Sequence, residues 1–304
     1  TVLAGLTEGT GRDARLPSVL VTARSESAAL TYLLYDGLRA EVDLRNPAVV
    51  WALRLDGIKP RPVSRALLDA IPEAPPIAAP YVPGAGSSGA LDGLRVGAVV
   101  RVTRVDANDY FVVLSDGVQR IGEVAADLIQ ITGSQGRREV ASVSPDAIAG
   151  VTLVETLPVS TFPRRAGTPV GVDDARVLCA QWLPAGPRTV LWEGDSLPQN
   201  SNPIGLAQAD GEAPNVDNVS MPAGRSAYVR ATALTGRSTD SGPLYLVTDG
   251  GTLFGIHDAD TAKMLGVQGD PVPAPWPVLS RLPRGPELTK DSALVARDSI
   301  LAPP

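Results

Sequence analysis

Three acidic dipeptides stand at the ends of apolar runs: Asp36-Gly37 after TYLLY, Asp116-Gly117 after YFVVLS, and Asp249-Gly250 after LYLVT. Carboxylates repeated in like settings could act as general acids and bases, or as ligands for a hard cation. The same dipeptide between β-rich runs has a plainer use: Gly reaches the positive φ of a tight hairpin and Asp bonds the local backbone. Other residues invite other chemistry. Gly84, Gly86 and Gly89 spell G-x-G-x-x-G, Ser87 takes the place of an elbow serine within residues 85–89, His257 is the one histidine, and Cys179 is the one cysteine.

Each constellation lacks a part that its chemistry needs. A dinucleotide fingerprint requires a buried strand before it and a helix N-terminus after it to hold the pyrophosphate, whereas a Pro-rich run precedes Gly84 and ALDGLRVG follows Gly89. A nucleophile elbow needs a strained strand-to-helix turn and a histidine base. His257 instead sits beside Asp258 at the start of a predicted helix, the place of a solvated helix-end histidine. No G-x-x-x-x-G-K-[ST] loop occurs, so no P-loop is encoded. The acidic clusters at 106–109, 173–174 and 210–217 lack a closing bidentate Glu, and Phe111 occupies the turn-glycine position of the first; calcium loops need both. One Cys with one His cannot complete a zinc site. The residues therefore assign no catalytic group, no cofactor and no metal. Asp36, Gly37, Asp116, Gly117, Asp249 and Gly250 read as hairpin turns, and Trp51, Trp182, Trp192 and Trp276 as packing residues.

The elements around these turns repeat. One offset carries Asp36-Gly37 onto Asp116-Gly117 and Val63-Ser64 onto Val143-Ser144 without a gap, and 244–288 resembles the first copy at both ends. The common unit is an apolar run, Asp-Gly, a second strand-like run, a short helix, an extended Pro-rich piece and another short helix. NPAVVWALRL has an Asn cap and Pro at the first helical position, and DADTAKMLGV does the same job with Asp258 as cap and Gly266 as stop. A unit of about 45 residues is too small for a comfortable core of its own, so copies should lean on neighbours.

Composition narrows the class. The chain has 304 residues, a net charge of −6 and only three lysines, Lys59, Lys263 and Lys290, so it carries no basic footprint for nucleic acid. Hydrophobic residues make up 44% but aromatics only 4%, which points to several small aliphatic cores. No window approaches the roughly 18 uninterrupted apolar residues of a membrane span. The expected class is α+β: several small hairpin-helix repeats arranged around a central β-rich domain. The expected divisions are 1–20, strands contributing to the central domain; 21–80, repeat A; 81–95, a flexible Pro/Gly/Ser linker; 96–158, repeat B; 159–242, the central β-rich domain; and 243–304, repeat C with a C-terminal tail.

Read together and in order, YLLYDGLRAEVDL, PAVVWALRLDG, PRPVSRALLDAIPEAPPI, YFVVLSDGVQRI, VLCAQW, LAQADGEAPNVDNV, LYLVTDGGTLFGI and APWPVLSRLPRGPEL resemble the EccB family. This is the B component of the mycobacterial type VII (ESX) secretion machine. The resemblance implies a single-pass inner-membrane protein whose large C-terminal part is elongated and lies in the periplasm, on the extracytoplasmic side. There it would dimerise and assemble with the C, D and E components and a mycosin protease. It also implies that a cytoplasmic piece, a membrane helix and a first repeat precede Thr1, and that Cys179 is the later cysteine of the family's disulfide, with its partner outside this chain. The expected function is structural support for export. The alternatives are ATP hydrolysis, a label the family often carries without a matching motif here, and a cell-wall binding module.

Overall fold

The structure is a computed structural model and describes residues 1–5, 18–23, 30–104, 108–133, 140–167, 169, 176–184, 188–198, 201–211, 215–236, 241–267 and 269–290. Asp106, Asp173, Asp174 and the tail from 291 lie outside the described residues.

After a two-residue strand, β1 (Val2–Leu3), the chain builds a sheet from β2 (Val19–Ala23), β3 (Thr31–Tyr35), β4 (Leu38–Glu41), β5 (Arg61–Val63) and β6 (Glu73–Ala74). β2, β3 and β4 form an antiparallel meander; β5 then joins β2 in parallel and β6 joins β4 in parallel, giving the order β5-β2-β3-β4-β6. Parallel returns need crossovers. α1 (Pro47–Ala52) and α2 (Arg65–Asp69) supply them, started by Asn46, which accepts from the Ala48 amide at 3.0 Å, and by Ser64, which accepts from Leu67. α1 covers one face of the sheet with Leu20, Leu33 and Ala40, and α2 covers the other with Val19, Val21 and Leu34. Burial on both faces explains why these strands read as continuous apolar runs.

The second sheet repeats the pattern with β7 (Val99–Thr103), β8 (Asn108–Val113), β9 (Val118–Ile121) and β10 (Ala141–Ser142), crossed by α3 (Glu123–Gly133) and followed by α4 (Pro145–Ala149). β7, β8 and β9 form the meander, β10 joins β7 in parallel, and Leu153 bridges Val118 in parallel. Two small sheets come next. β11 (Val177–Leu183) and β12 (Arg188–Gly194) form an antiparallel ribbon, while β13 (Ile204–Gly205) and β14 (Asn218–Ser220) pair antiparallel, with β1 added in parallel. The third large sheet contains β15 (Ala227–Thr232), β16 (Leu244–Val247), β17 (Leu253–Ile256) and β18 (Val272–Pro275), with α5 (Ala259–Met264) between β17 and β18 and α6 (Trp276–Leu279) after them. Its pairing is again a meander with β18 parallel to β15, and Arg284 and Leu288 lie in parallel against β17.

Several expected divisions need moving. A boundary at 20/21 cuts β2, and one at 242/243 separates β15 from its partner β16. The Asp-Gly turns lie between the second and third strands of each meander, so boundaries drawn from the turns cut the first strand VLVTA and leave AYVRAT outside its unit. Val159 and Phe162 pack with the second sheet, not with a separate β region. The β-rich stretch 159–242 is divided: the ribbon packs on the first sheet through Leu178, Ala180 and Leu191, and the β13–β14 sheet packs on the third through Leu206 and Val219.

The expected flexible linker at 81–95 is instead a hydrogen-bonded hairpin. The Gly86 amide donates to Val96, Val96 to Ser87 and Gly89 to Leu94, each at 2.9 Å, while Ala90 and Gly97 donate to Leu114 and Val113 of the second sheet. Leu91 and Val96 are buried there. A Cβ on Gly89 would stand 2.4 Å from Val113, so glycine is present for close packing and not for freedom.

Candidate functional site

The three Asp-Gly pairs occupy the three meander connections, with different backbones. Asp36 and Gly37 have φ of 47° and 75° and join Tyr35 to its partner Leu38. That is the two-residue turn with both central residues left-handed. Asp116-Gly117 lies in a wider connection, where Leu114 donates to Gly117 at 2.9 Å and neither residue has positive φ. In the third, the left-handed residue is Gly251, at φ 78°, and not Gly250; Gly251 donates to Thr248, and Thr248 to Thr252. Each turn is also covered. A Cβ on Gly37 would stand 2.0 Å from the Thr189 carbonyl oxygen of β12, one on Gly117 2.4 Å from that of Thr152, and one on Gly251 2.7 Å from Leu206 and Val219. Asp249 accepts from the Gly224 amide at 2.8 Å. The carboxylates are spread over three sheets, and among the described residues no group of three or more His, Cys, Asp or Glu could hold a metal ion.

The other chemistry-bearing residues are equally dispersed. Ser87 Oγ donates to the Gly84 carbonyl at 2.7 Å within its own turn. The amides of Gly86 and Gly89 are spent on Val96 and Leu94, so these donors are not free to cradle a pyrophosphate. His257 follows β17, and its Nδ1 lies 3.6 Å from Glu287 with both side chains exposed. It lines a shallow cavity of about 330 Å³ with Arg230, Tyr245 and Glu287. Cys179 lies opposite Trp192 on the β11–β12 ribbon and is a free thiol among the described residues. Burial pushes its pKa up to about 11. The thiol is therefore held protonated and inert at neutral pH.

What the structure does bring together is helices. Val124 and Leu128 of α3 enter the same core as Val49, Ala52 and Leu53 of α1, so the first helices of the first two sheets share one apolar interior. Arg54 pairs with Glu123 at 3.3 Å across that junction. Beside it, Asp127 is half-buried, and burial, with help from the Glu123 charge and against that of Arg54, pushes its pKa up to about 6.

The equivalent helix of the third sheet, α5, has matching caps and a matching stop. Asp258 and Asn46 both cap by side chain, and Gly266 and Arg54 both end the helix at positive φ. Counting from the caps places Met264 where α1 has Ala52 and Leu265 where it has Leu53. Ala52 and Leu53 are 1% and 2% exposed; Met264 and Leu265 are 67% and 45% exposed. The helix face that is core in α1 is thus open in α5.

A second junction is ionic. Asp69 on α2 meets Arg65 of its own helix and Arg281 after α6, with the buried Arg39 beside it. Sequence reading singled out none of these. Arg65 and Asp69 are four apart on a helix and could have been paired, but the partnership with Arg281 spans 212 residues and has no local signal. Among the described residues, no helix is long and apolar enough to cross a membrane.

Comparison with known proteins places these features in a family. The model of the type VII secretion system ESX-1 transport TM domain B matches residues 1–302. The chain is 33% identical to the ESX-3 secretion system ATPase EccB3 of Mycolicibacterium smegmatis, over 100% of this chain and 62% of that protein. It is 34% identical to the ESX-2 secretion system ATPase EccB2 of Mycobacterium tuberculosis, over 99% of this chain and 64% of that protein. The chain thus spans under two thirds of the length of these curated relatives. Among solved structures, the EccB3 dimer from the ESX-3 core complex superposes with a TM-score of 0.78 at 31% identity, over 93% of this chain and 74% of that one. The periplasmic assembly from the ESX-5 inner membrane complex gives 0.72 at 27% identity, over 99% and 76%.

Proposed function

Since the chain belongs to the EccB family of type VII (ESX) secretion components, we propose that it is a structural part of such an inner-membrane complex, acting in the periplasm by presenting surfaces to other subunits. On this reading the three large sheets are copies of one hairpin-helix unit, set around the two small β sheets in an elongated body. Its partners are a second copy of itself, the C, D and E components and a mycosin protease. The observation that carries the proposal is the open α5 face. The same helix face is consumed by packing between the first two copies, and at Met264 and Leu265 it is apolar and uncovered. What favours a contact here is the comparison, since the positions equivalent to Met264 and Leu265 in α1 are core.

The test is a Met264→Glu/Leu265→Glu chain in its full-length, membrane-anchored form. Native gel electrophoresis of the detergent-solubilised complex should show at least a tenfold loss of assembled material, while the melting temperature of the isolated chain stays within about 2 °C of the parent, because exposed positions contribute little to folding. Normal assembly of the double variant would refute the α5 face as the contact.

ATP hydrolysis is the second reading, favoured by the names its relatives carry. Turnover by the purified chain that disappears on one defined substitution would establish it. Activity surviving substitution of every Arg and Asp near the bound nucleotide would assign it to a contaminant.

A further inference from the structure

Three guanidinium groups surround the two oxygens of Asp69, at the place where the first and third sheets meet. Arg65, one turn back on α2, donates Nε to Oδ1 at 3.1 Å, and Arg281 donates to Oδ2. Arg39 on β4 has a side chain only 10% exposed. It gives Nη2 to Glu73 at 2.8 Å and lies 5.5 Å above the Tyr32 ring. Its Nη1 reaches only to 3.8 Å from Asp69, and neither Nη1 nor Nε has a hydrogen-bond partner among the described residues. A buried charged donor left open is costly. Here the acceptor that faces it, Asp69 Oδ1, lies beyond hydrogen-bond reach; Arg65 of the same helix holds that oxygen, and Arg281 of the third sheet holds the other.

We propose that Asp69 is a two-position latch on the angle between the first and third sheets: clasped to Arg281 it holds α6 against α2, and released from Arg281 it closes on the buried Arg39. Release then exchanges one charge-assisted bond for another, which draws the two arrangements together in free energy. The apolar contact to be parted is modest, since Ala66 is the residue of α2 that joins the cluster containing Leu279 and Leu282. A second tie runs from the Trp182 indole to the Leu234 carbonyl at 2.9 Å and does not involve the latch residues. The scaffold would then have two poses of its third sheet without unfolding any element.

Spin labels at Arg45→Cys and Lys263→Cys, both exposed, in a Cys179→Ser background, report the separation of the two sheets by double electron–electron resonance. The parent is expected to show a major and a minor separation. Arg281→Ala should raise the minor population at least threefold, and Arg39→Met should lower it at least threefold. A salt bridge serving only to hold the sheets together would respond to Arg281→Ala but not to Arg39→Met. A distribution for Arg39→Met that superimposes on the parent therefore overturns the latch, as does an unchanged distribution for Arg281→Ala. Arg39→Lys keeps the charge without the fork and should shift the same way by a smaller factor, which covers failure of the methionine variant to fold. The measurement uses the purified chain, so its result is separate from whether the chain joins a secretion complex.

Discussion

Gly37 carries two constraints at once, a left-handed backbone and the Thr189 carbonyl oxygen 2.0 Å from where a Cβ would stand. Gly37→Ala should therefore cost about 2–4 kcal/mol, more than the ~1 kcal/mol of conformational strain alone, because the ribbon must also move. Urea denaturation of the isolated chain measures it. Asp36→Asn should stay within about 0.5 kcal/mol of the parent and leave complex assembly intact, since Asn tolerates the same left-handed turn; a loss of assembly would return the carboxylate to a chemical role. Much at this scale was legible, including the caps Asn46 and Asp258, because a cap and the amide it serves are neighbours in sequence. Gly89 was misread for a related reason. A glycine required by a distant Val113 looks in sequence like a glycine required by nothing.

At the scale of elements, the α1–α3 junction makes a prediction about acid. Asp127 has a raised folded pKa, about 6, against about 3.9 in an unfolded chain. Its contribution is therefore fully favourable below about pH 3.9 and is lost as the pH rises through 6, because the folded state retains the proton longer. Asp127→Asn should stabilise the chain at pH 7.5 and make no difference near pH 4. A two-unit shift corresponds to about 3 kcal/mol, but the group is only partly buried and solvent screening reduces this to about 1 kcal/mol. Thermal melts of both chains at the two pH values provide the check, and equal effects at both would contradict the burial of the carboxyl. The sequence reading anticipated that units would lean on one another, but not which helices would meet. The apolar faces of α1 and α3 are both satisfied by a sheet as well as by each other, so periodicity alone could not separate sheet contacts from helix contacts.

For the whole molecule, two of the cores draw side chains from more than one large sheet. Leu128 comes from the second sheet's crossover helix but is fully buried in the first sheet's core, and Ala66 of α2 joins the third sheet's core. Unfolding should then be a single transition. Leu128→Ala should lower its midpoint, by about 2–5 kcal/mol in stability, without splitting it, in calorimetry and in tryptophan fluorescence alike. Two resolved transitions would mean that the units fold independently. One offset shared by two pairs of residues pointed to a common unit, and each large sheet is a meander with a parallel return. Where the meanders begin was not legible, since the first strands β2 and β15 have no dipeptide to mark them.

The large sheets also share the way they end. On one side a short parallel return lies against the meander: β6 on β4, Leu153 on Val118, and Arg284 and Leu288 on β17. On the other, the last strand is brief or interrupted by proline: Pro62 in β5, two residues in β10, Pro273 and Pro275 in β18. Exposed strand edges invite any extended chain to add itself as another strand. Blunted borders make all three large sheets poor templates for an added strand, so whatever these borders meet is met through side chains and not through backbone pairing.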